Sequence, residues 1–229
     1  MIFLVDASVY VFRAWHSMLP DMRDHDGNPS HAVFGFARFL GDLIERVRPS
    51  YIAVAFDQRR SDSYRSRIYP AYKANRERAP ADLPLQFERC RELCRHLGVA
   101  EFVYPEYEAD DIIGTLAAQM RARGVRSAYI TRDKDLAQLM RDGDLDSVAE
   151  LKIRGAGTLG VRLAEHRESV YLARRLTRIA CDLPLSVGAE GLKRRAPDLR
   201  SLAALYDRLG FGPFLRAQGA RLAQLPAAA

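Results

Sequence analysis

Cysteine, tryptophan and long apolar runs are scarce in this chain. Of its 229 residues three are cysteine and one is tryptophan. Cys90 and Cys94 stand four apart and Cys181 is distant, so a reducing compartment and plain core packing are expected of all three. The five histidines (His16, His25, His31, His96, His166) show no ligand spacing and read as structural or surface residues. No apolar run approaches the roughly 20 residues that span a bilayer, so no membrane partner is expected. The N-terminus has no basic region, no long apolar stretch and no small-residue cleavage site. Met1-Ile2-Phe3-Leu4-Val5-Asp6 therefore reads as a buried strand rather than a signal peptide, and the cytoplasm is the expected location. No internal repeat is present. The length suits one large domain or a domain with an appendage, in the composition range of soluble globular proteins.

What the chain does have is positive charge in one place. The net charge is +6 and the isoelectric point about 9.4, which agrees with a polyanionic partner. Residues 59–78 hold seven basic side chains (Arg59, Arg60, Arg65, Arg67, Lys73, Arg76, Arg78) against two acidic ones, with Tyr64, Tyr69 and Tyr72 between them. Basic groups track a phosphate backbone and aromatic faces stack on unpaired bases. A charge run alone is usually a solvated face; the interleaved tyrosines tip the reading to nucleic acid.

The negative charge is concentrated differently. Short apolar runs each end in acid: Ile2 to Val5 in Asp6, Tyr51 to Phe56 in Asp57, and Ala128 to Thr131 before Asp133 and Asp135. They alternate with helix-periodic stretches, the pattern of βαβ units in a parallel sheet. In such sheets ligands bind beyond the carboxyl ends of the strands, so these acids should converge. Glu108, Asp110 and Asp111 place three more carboxylates in four positions, ahead of the apolar run Ile112, Ile113, Leu116, Ala117, Met120. A helix N-terminus favours each anion by only about 0.3–1 kcal/mol, which explains one or two of them. Converging carboxylates without comparable local Lys or Arg are a hard-cation site, for Mg²⁺ or Mn²⁺.

Helices are expected over 9–18, from an N-cap at Ser30 to Val47, over 85–97, over the acid-led run to about 123, over 136–140, as one long helix over 158–181, and over 199–209. Strands are expected at 2–5, 51–56, 102–104 and 128–131. Gly98 and Gly124 serve as helix stops. The tail from Arg216 to Ala229 is weakly patterned and is expected to fray. Gly155 to Gly160 fits a G-x-G-x-x-G pattern, but only helices follow it, so it reads as a glycine-rich helix entry.

Several of these pieces stand in a familiar order: Leu4-Val5-Asp6-Ala7-Ser8, Ala32-Val33-Phe34-Gly35-Phe36, Val54-Ala55-Phe56-Asp57, Tyr64-Arg65, Tyr69-Pro70-Ala71-Tyr72-Lys73-Ala74-Asn75-Arg76, Glu108-Ala109-Asp110-Asp111-Ile112-Ile113-Gly114-Thr115 and Asp133-Lys134-Asp135-Leu136. Here the chain resembles the 5′-nuclease (flap endonuclease-like) family, in particular the N-terminal nuclease domain of bacterial polymerase I and its stand-alone bacterial relatives. The resemblance implies an α/β, PIN-like fold. Its mostly parallel sheet is flanked by helices and carries a helical arch and a C-terminal helical segment. Residues 1–146 would be the nuclease domain with its arch at about 59–84, and 147–229 the helical part of the same domain. It implies a bacterial cytoplasmic monomer that hydrolyses DNA phosphodiesters near 5′ ends, on flaps, nicks, gaps or free ends. It implies metal ligands at Asp6, Asp57, Glu108, Asp110 and Asp111 for a first ion, and at Asp133 and Asp135 for the shared and second-ion side. Lys73 and Arg76, with Asp110, would act at the scissile phosphate, and Arg65, Tyr69 and Tyr72 would help hold DNA.

The chain also departs from the family. A Gly-Asp-x-x-Asp-Asn segment and a glycine-rich helix–hairpin–helix block would normally follow Leu136. The sequence passes instead from Asp142-Gly143-Asp144 to Leu151-Lys152-Ile153-Arg154-Gly155. One metal site is therefore expected to be complete and the second depleted. The rival reading is a DNA-binding family member with weak or no catalysis. A PIN-type ribonuclease shares the acids but not the arch motifs.

Overall fold

The short apolar runs become the strands. The structure, a computed structural model, describes residues 1–57, 63–75, 80–140 and 166–226. In it Ile2–Asp6 forms β1, Tyr51–Ala55 β2, Ala100–Phe102 β3 and Ser127–Ile130 β4. All pair in parallel, in the order β3-β2-β1-β4. The helices are α1 (Ala7–Ser17), α2 (His31–Val47), α3 (Tyr64–Ile68), α4 (Leu83–His96), α5 (Ala109–Arg121), α6 (Arg167–Thr177), α7 (Leu199–Arg208) and α8 (Pro213–Gln224), with 3₁₀ turns at Asp135–Met140 and Ala189–Leu192. This is the α/β, mostly parallel sheet expected from the sequence. Among the described residues no helix is long and apolar enough to cross a membrane.

Alternation along the strands builds two cores. Ile2 and Leu4 of β1, with Ala53 and Ala55 of β2, join Ile112, Ile113 and Leu116 of α5 on one face. Val5, Ile52 and Val54 point the other way, to Phe36 and Leu40 of α2 and Leu93 of α4. Successive strand side chains alternate faces, so a strand covered on both sides needs apolar residues throughout. Each fully buried Val, Leu, Ile or Phe contributes about 1.5–3 kcal/mol. Gly98 ends the α4 region at φ 70°, and a Cβ there would collide with Arg195 O, so both conformation and space call for glycine.

The chain steps outward from β1 to β2 to β3, then returns to the far side of β1 for β4. Strand order thus reverses between β1 and β4, and the carboxyl ends at such a reversal are where open α/β sheets bind ligands. Asp6 ends β1 there, and Thr131 follows β4.

The C-terminal third corrects the sequence reading. The tail does not fray from Arg216. It forms α8, whose Leu215, Gln218, Gly219 and Leu222 are buried, and Gln218 Nε2 donates to Asp42 Oδ1 of α2 at 2.9 Å. The single helix expected over 158–181 is α6, from Arg167 to Thr177; 158–165, like the whole Gly155–Gly160 pattern, lies outside the described residues. From Arg178 the chain runs on without helix, because Ile179 and Leu183 pack into the α5 core. β3 falls two residues earlier than expected, and the stretch after Asp133 is 3₁₀ rather than α.

Candidate active site

Each acid is delivered by a different end of the framework. Asp6 closes β1 and caps α1. It is 3% exposed. Its Oδ1 accepts the Val9 N–H at 3.5 Å and its Oδ2 accepts the Thr131 hydroxyl at 3.0 Å. Burial pushes its carboxyl up to about 6, and the charge of Asp57 adds to the rise. Asp57, just past β2, is exposed. Its Oδ1 accepts the Ala109 N–H at 2.7 Å, satisfying one orphan donor in the first turn of α5. Its own N–H donates to Ser8 Oγ at 3.1 Å.

Asp110 differs from its neighbours. It is half-buried, and no donor among the described residues reaches its carboxylate. Burial pushes it up to about 8, reinforced by Asp6, Asp133, Asp57 and Glu108. Asp110 therefore feels four other carboxylates, delivered by β1, the β2 exit, the α5 N-cap and the β4 exit. Asp133 is set by its own N–H, which donates to Thr131 Oγ1 at 2.9 Å, and its Oδ1 accepts the Asp135 N–H at 2.9 Å. Asp135 is exposed at the head of the 3₁₀ turn.

A donor-free, half-buried carboxylate among four others fits a hard cation, which would supply the missing positive charge. Among the described residues, no three acidic or cysteine and histidine side chains stand close enough to grip one ion as they are. Glu108 turns its Oε1 to Lys73 Nζ at 2.7 Å, and Asp57 Oδ1 accepts the Ala109 N–H.

The residues expected to form the arch have different surroundings. Lys73 is half-buried against Glu108, its Nζ 5.0 Å from the centre of the Tyr72 ring. Tyr69 is 42% exposed. Arg67 pairs with Glu106 through two 2.8 Å bonds. Lys73 and Glu106, at φ 55° and 67°, both adopt left-handed backbone. Arg76 lies outside the described residues.

Arg65 and Asp111 sit together, away from solvent. The resemblance implies a DNA role for Arg65 and a metal role for Asp111; the structure buries both, at 3% and 0% side-chain exposure, in a two-bond pair of 2.6 and 2.8 Å. Asp111 also accepts the Glu108 N–H at 3.1 Å and the Ala180 N–H at 2.8 Å. Its two oxygens thus accept four hydrogen bonds, and it faces away from solvent. Sequence reasoning missed Ser8 and Thr131, which hold Asp57 and Asp6. Their only signal was a small hydroxyl residue within two positions of a strand-end acid.

A family model described as "5′-3′ exonuclease, N-terminal resolvase-like domain" matches residues 1–161. Among curated proteins, a DNA polymerase I of Chloroflexus aurantiacus is 40% identical over 143 residues, 62% of this chain and 15% of that protein. A 5′-3′ exonuclease of Aquifex aeolicus is 35% identical over 144 residues, 63% of this chain and 49% of that protein. The chain thus spans less than half the length of these relatives. Against a Streptococcus pneumoniae DNA polymerase I the identity is 27% over 278 aligned residues, yet only 91% of this 229-residue chain, about 208 residues, takes part; the relative carries about 70 positions absent here. Among solved structures, the catalytic core of Rad2 in complex with DNA substrate superposes with a TM-score of 0.53 at 13% identity, covering 96% of this chain and 89% of that one. Human GEN1 in complex with Holliday junction DNA gives 0.53 at 10%, covering 97% and 71%. At these identities the likeness is one of fold.

Proposed function

The chain belongs to the family of 5′-3′ exonuclease N-terminal, resolvase-like domains, and on that premise we propose that it is a divalent-metal-dependent 5′-nuclease. Its substrate is DNA with a flap, nick, gap or free 5′ end, and the reaction is hydrolysis of a phosphodiester near that end. The observation that carries the reading is Asp110: a half-buried carboxylate with no donor among the described residues, pushed up to about 8 by burial and by Asp6, Asp133, Asp57 and Glu108.

The residues that would hold Mg²⁺ or Mn²⁺ are Asp6, Asp57, Glu108, Asp110 and Asp133. When bound, a divalent cation acidifies water and offsets charge on the phosphate. Thr131 keeps Asp6 turned inward. Ser8 and the α5 N-terminus keep Asp57 at the mouth. Lys73 leaves Glu108 to meet a phosphate oxygen, and its place beside Tyr72 leaves that ring to stack on an unpaired base. Asp135 steadies Asp133 through its backbone N–H. Arg76 remains part of the proposal as the second arch cation.

A second reading, a DNA-binding member with weak or no catalysis, is favoured by the roughly 70 positions that relatives carry and this chain lacks. The deciding experiment is cleavage of end-labelled 5′-flap DNA with Mg²⁺, then Mn²⁺, with Asp110→Asn as control. Metal-dependent cutting that the variant loses upholds the nuclease. Salt-sensitive flap binding with no cutting selects the second reading.

A further inference from the structure

Arg65 sits at the start of the arch, eight residues before Lys73, yet its guanidinium is enclosed. Nη1 donates to Asp111 Oδ2 at 2.6 Å and Nη2 to Asp111 Oδ1 at 2.8 Å. Nη2 also reaches Arg178 O at 3.0 Å, and Nε reaches Leu176 O at 2.8 Å. Asp111 answers from the other side. One oxygen holds the Glu108 N–H, the other the Ala180 N–H. Further bonds run along the same seam: Tyr64 OH to Arg178 O at 3.4 Å, the Leu183 N–H to Thr115 Oγ1 at 3.2 Å, and Gln119 Nε2 to Leu185 O at 2.7 Å. Gln138, in the turn after Asp135, donates to Thr177 O at 3.0 Å.

We infer that Arg65 and Asp111 are a positioning pair that locks three segments together: the arch carrying Lys73, the start of α5 carrying Glu108 and Asp110, and the main chain of residues 176–180. The last segment lies beyond the stretch matched by the family model, so the C-terminal part completes the site through backbone atoms. The inference rests on the nuclease reading for its catalytic consequence, but not for the coupling itself.

The chemistry selects these two residue types. The 176–180 segment presents carbonyls, and the α5 side presents a carboxylate. A planar guanidinium serves both at once through its fork and its Nε. Lysine carries one nitrogen and cannot reproduce the pattern. Asp111 fixes the Glu108 backbone and stands next to Asp110. A shift of Arg65 therefore moves the arch cation relative to the acids, and ångström-scale misplacement is costly to reaction rates.

The test uses the full chain with Arg65→Lys and the double variant Arg65→Met/Asp111→Leu. The double variant removes both charges and guards against a fold lost merely to an unpaired buried ion, since apolar replacement of a whole buried pair is commonly tolerated. Flap cleavage is measured as separate kcat and KM, and amide hydrogen exchange is followed across 64–75, 108–112 and 176–185. The expected result is a kcat lower by at least tenfold in both variants, with KM within threefold of the parent. Protection should fall in all three segments together. A folded double variant with parental kcat, or loss of protection confined to the arch, overturns the inference. If the parent itself cuts nothing, the nuclease reading fails. The exchange pattern alone then decides the pair: joint loss upholds the coupling and arch-only loss overturns it.

Discussion

Lys73 Nζ lies 2.7 Å from Glu108 Oε1, so this cation and one acid of the candidate site neutralise each other here. Lysine and a divalent metal would then compete for Glu108. A pair this accessible is worth about 0.2–1 kcal/mol. Lys73→Met should lower the Mn²⁺ concentration at half-maximal thermal stabilisation by about 1.5- to 5-fold, since 1.4 kcal/mol is a factor of ten. The same variant should bind flap DNA more weakly and with a flatter salt dependence. A Mn²⁺ titration that needs more metal in the variant would refute the competition.

Asp110→Asn should act in opposite directions with and without metal. Without it, the variant removes a carboxylate that burial and four neighbouring acids disfavour. Its melting temperature should rise by roughly 2–4 °C for each kcal/mol of relief in a chain of this size. With Mg²⁺ or Mn²⁺, the rise seen in the parent should vanish. A variant that melts lower than the parent in chelator would show that Asp110 is already satisfied.

The pH dependence has a definite sign. Asp6 and Asp110 are raised from 3.8 to about 6 and about 8. Between those values and 3.8 the folded chain holds more protons than the unfolded one, so stability falls as pH rises. The favourable contribution is complete below about pH 4 and is lost as pH climbs through 6 and then 8. Asp24, Glu45, Glu92 and Asp198 are lowered and work the other way, but only at acid pH. Urea unfolding in chelator should therefore show falling stability from pH 5 to pH 8, and saturating Mg²⁺ should flatten the slope. A stability that increases over this range in chelator would contradict the raised values.

Gly114→Ala probes the contact between α5 and the C-terminal segment. A Cβ at this position would sit 2.6 Å from Ile179 Cγ2 and 3.1 Å from both Ala180 O and Cys181 Sγ. Overpacking of this kind costs typically 1–3 kcal/mol. The expected outcome is a lower urea midpoint with an unchanged denaturant slope. Parental stability would mean that residues 179–181 yield freely.

The strands and the strand-end acids were legible because each rests on a local pattern, a short apolar run followed by Asp. The sites of Arg65 and Asp111 were not. Arg65 looks like Arg67 in sequence, and Asp111 looks like Asp110. Which one is buried depends on contacts with Leu176, Arg178 and Ala180, more than sixty residues away. The helix α8 escaped for a related reason. Its buried face includes Gln218 and Gly219 beside only two leucines, so the apolar period is diluted, and Gln218 is satisfied by Asp42 of another helix. Likewise Arg194, 2% exposed, is held by the Pro49 and Pro226 carbonyls, partners no charge pattern could name.

The left-handed backbones of Lys73 and Glu106 put two kinds of selection at odds. A non-glycine residue there costs about 1–2 kcal/mol that glycine would not. Variants recovered purely for thermal resistance should drift toward glycine or asparagine at 73 and 106. Variants recovered for work on DNA should keep lysine at 73 despite the strain. Position 73 is therefore where a library screened for robustness and one screened for turnover should part company, and a thermostable descendant carrying glycine there should be stable and slow.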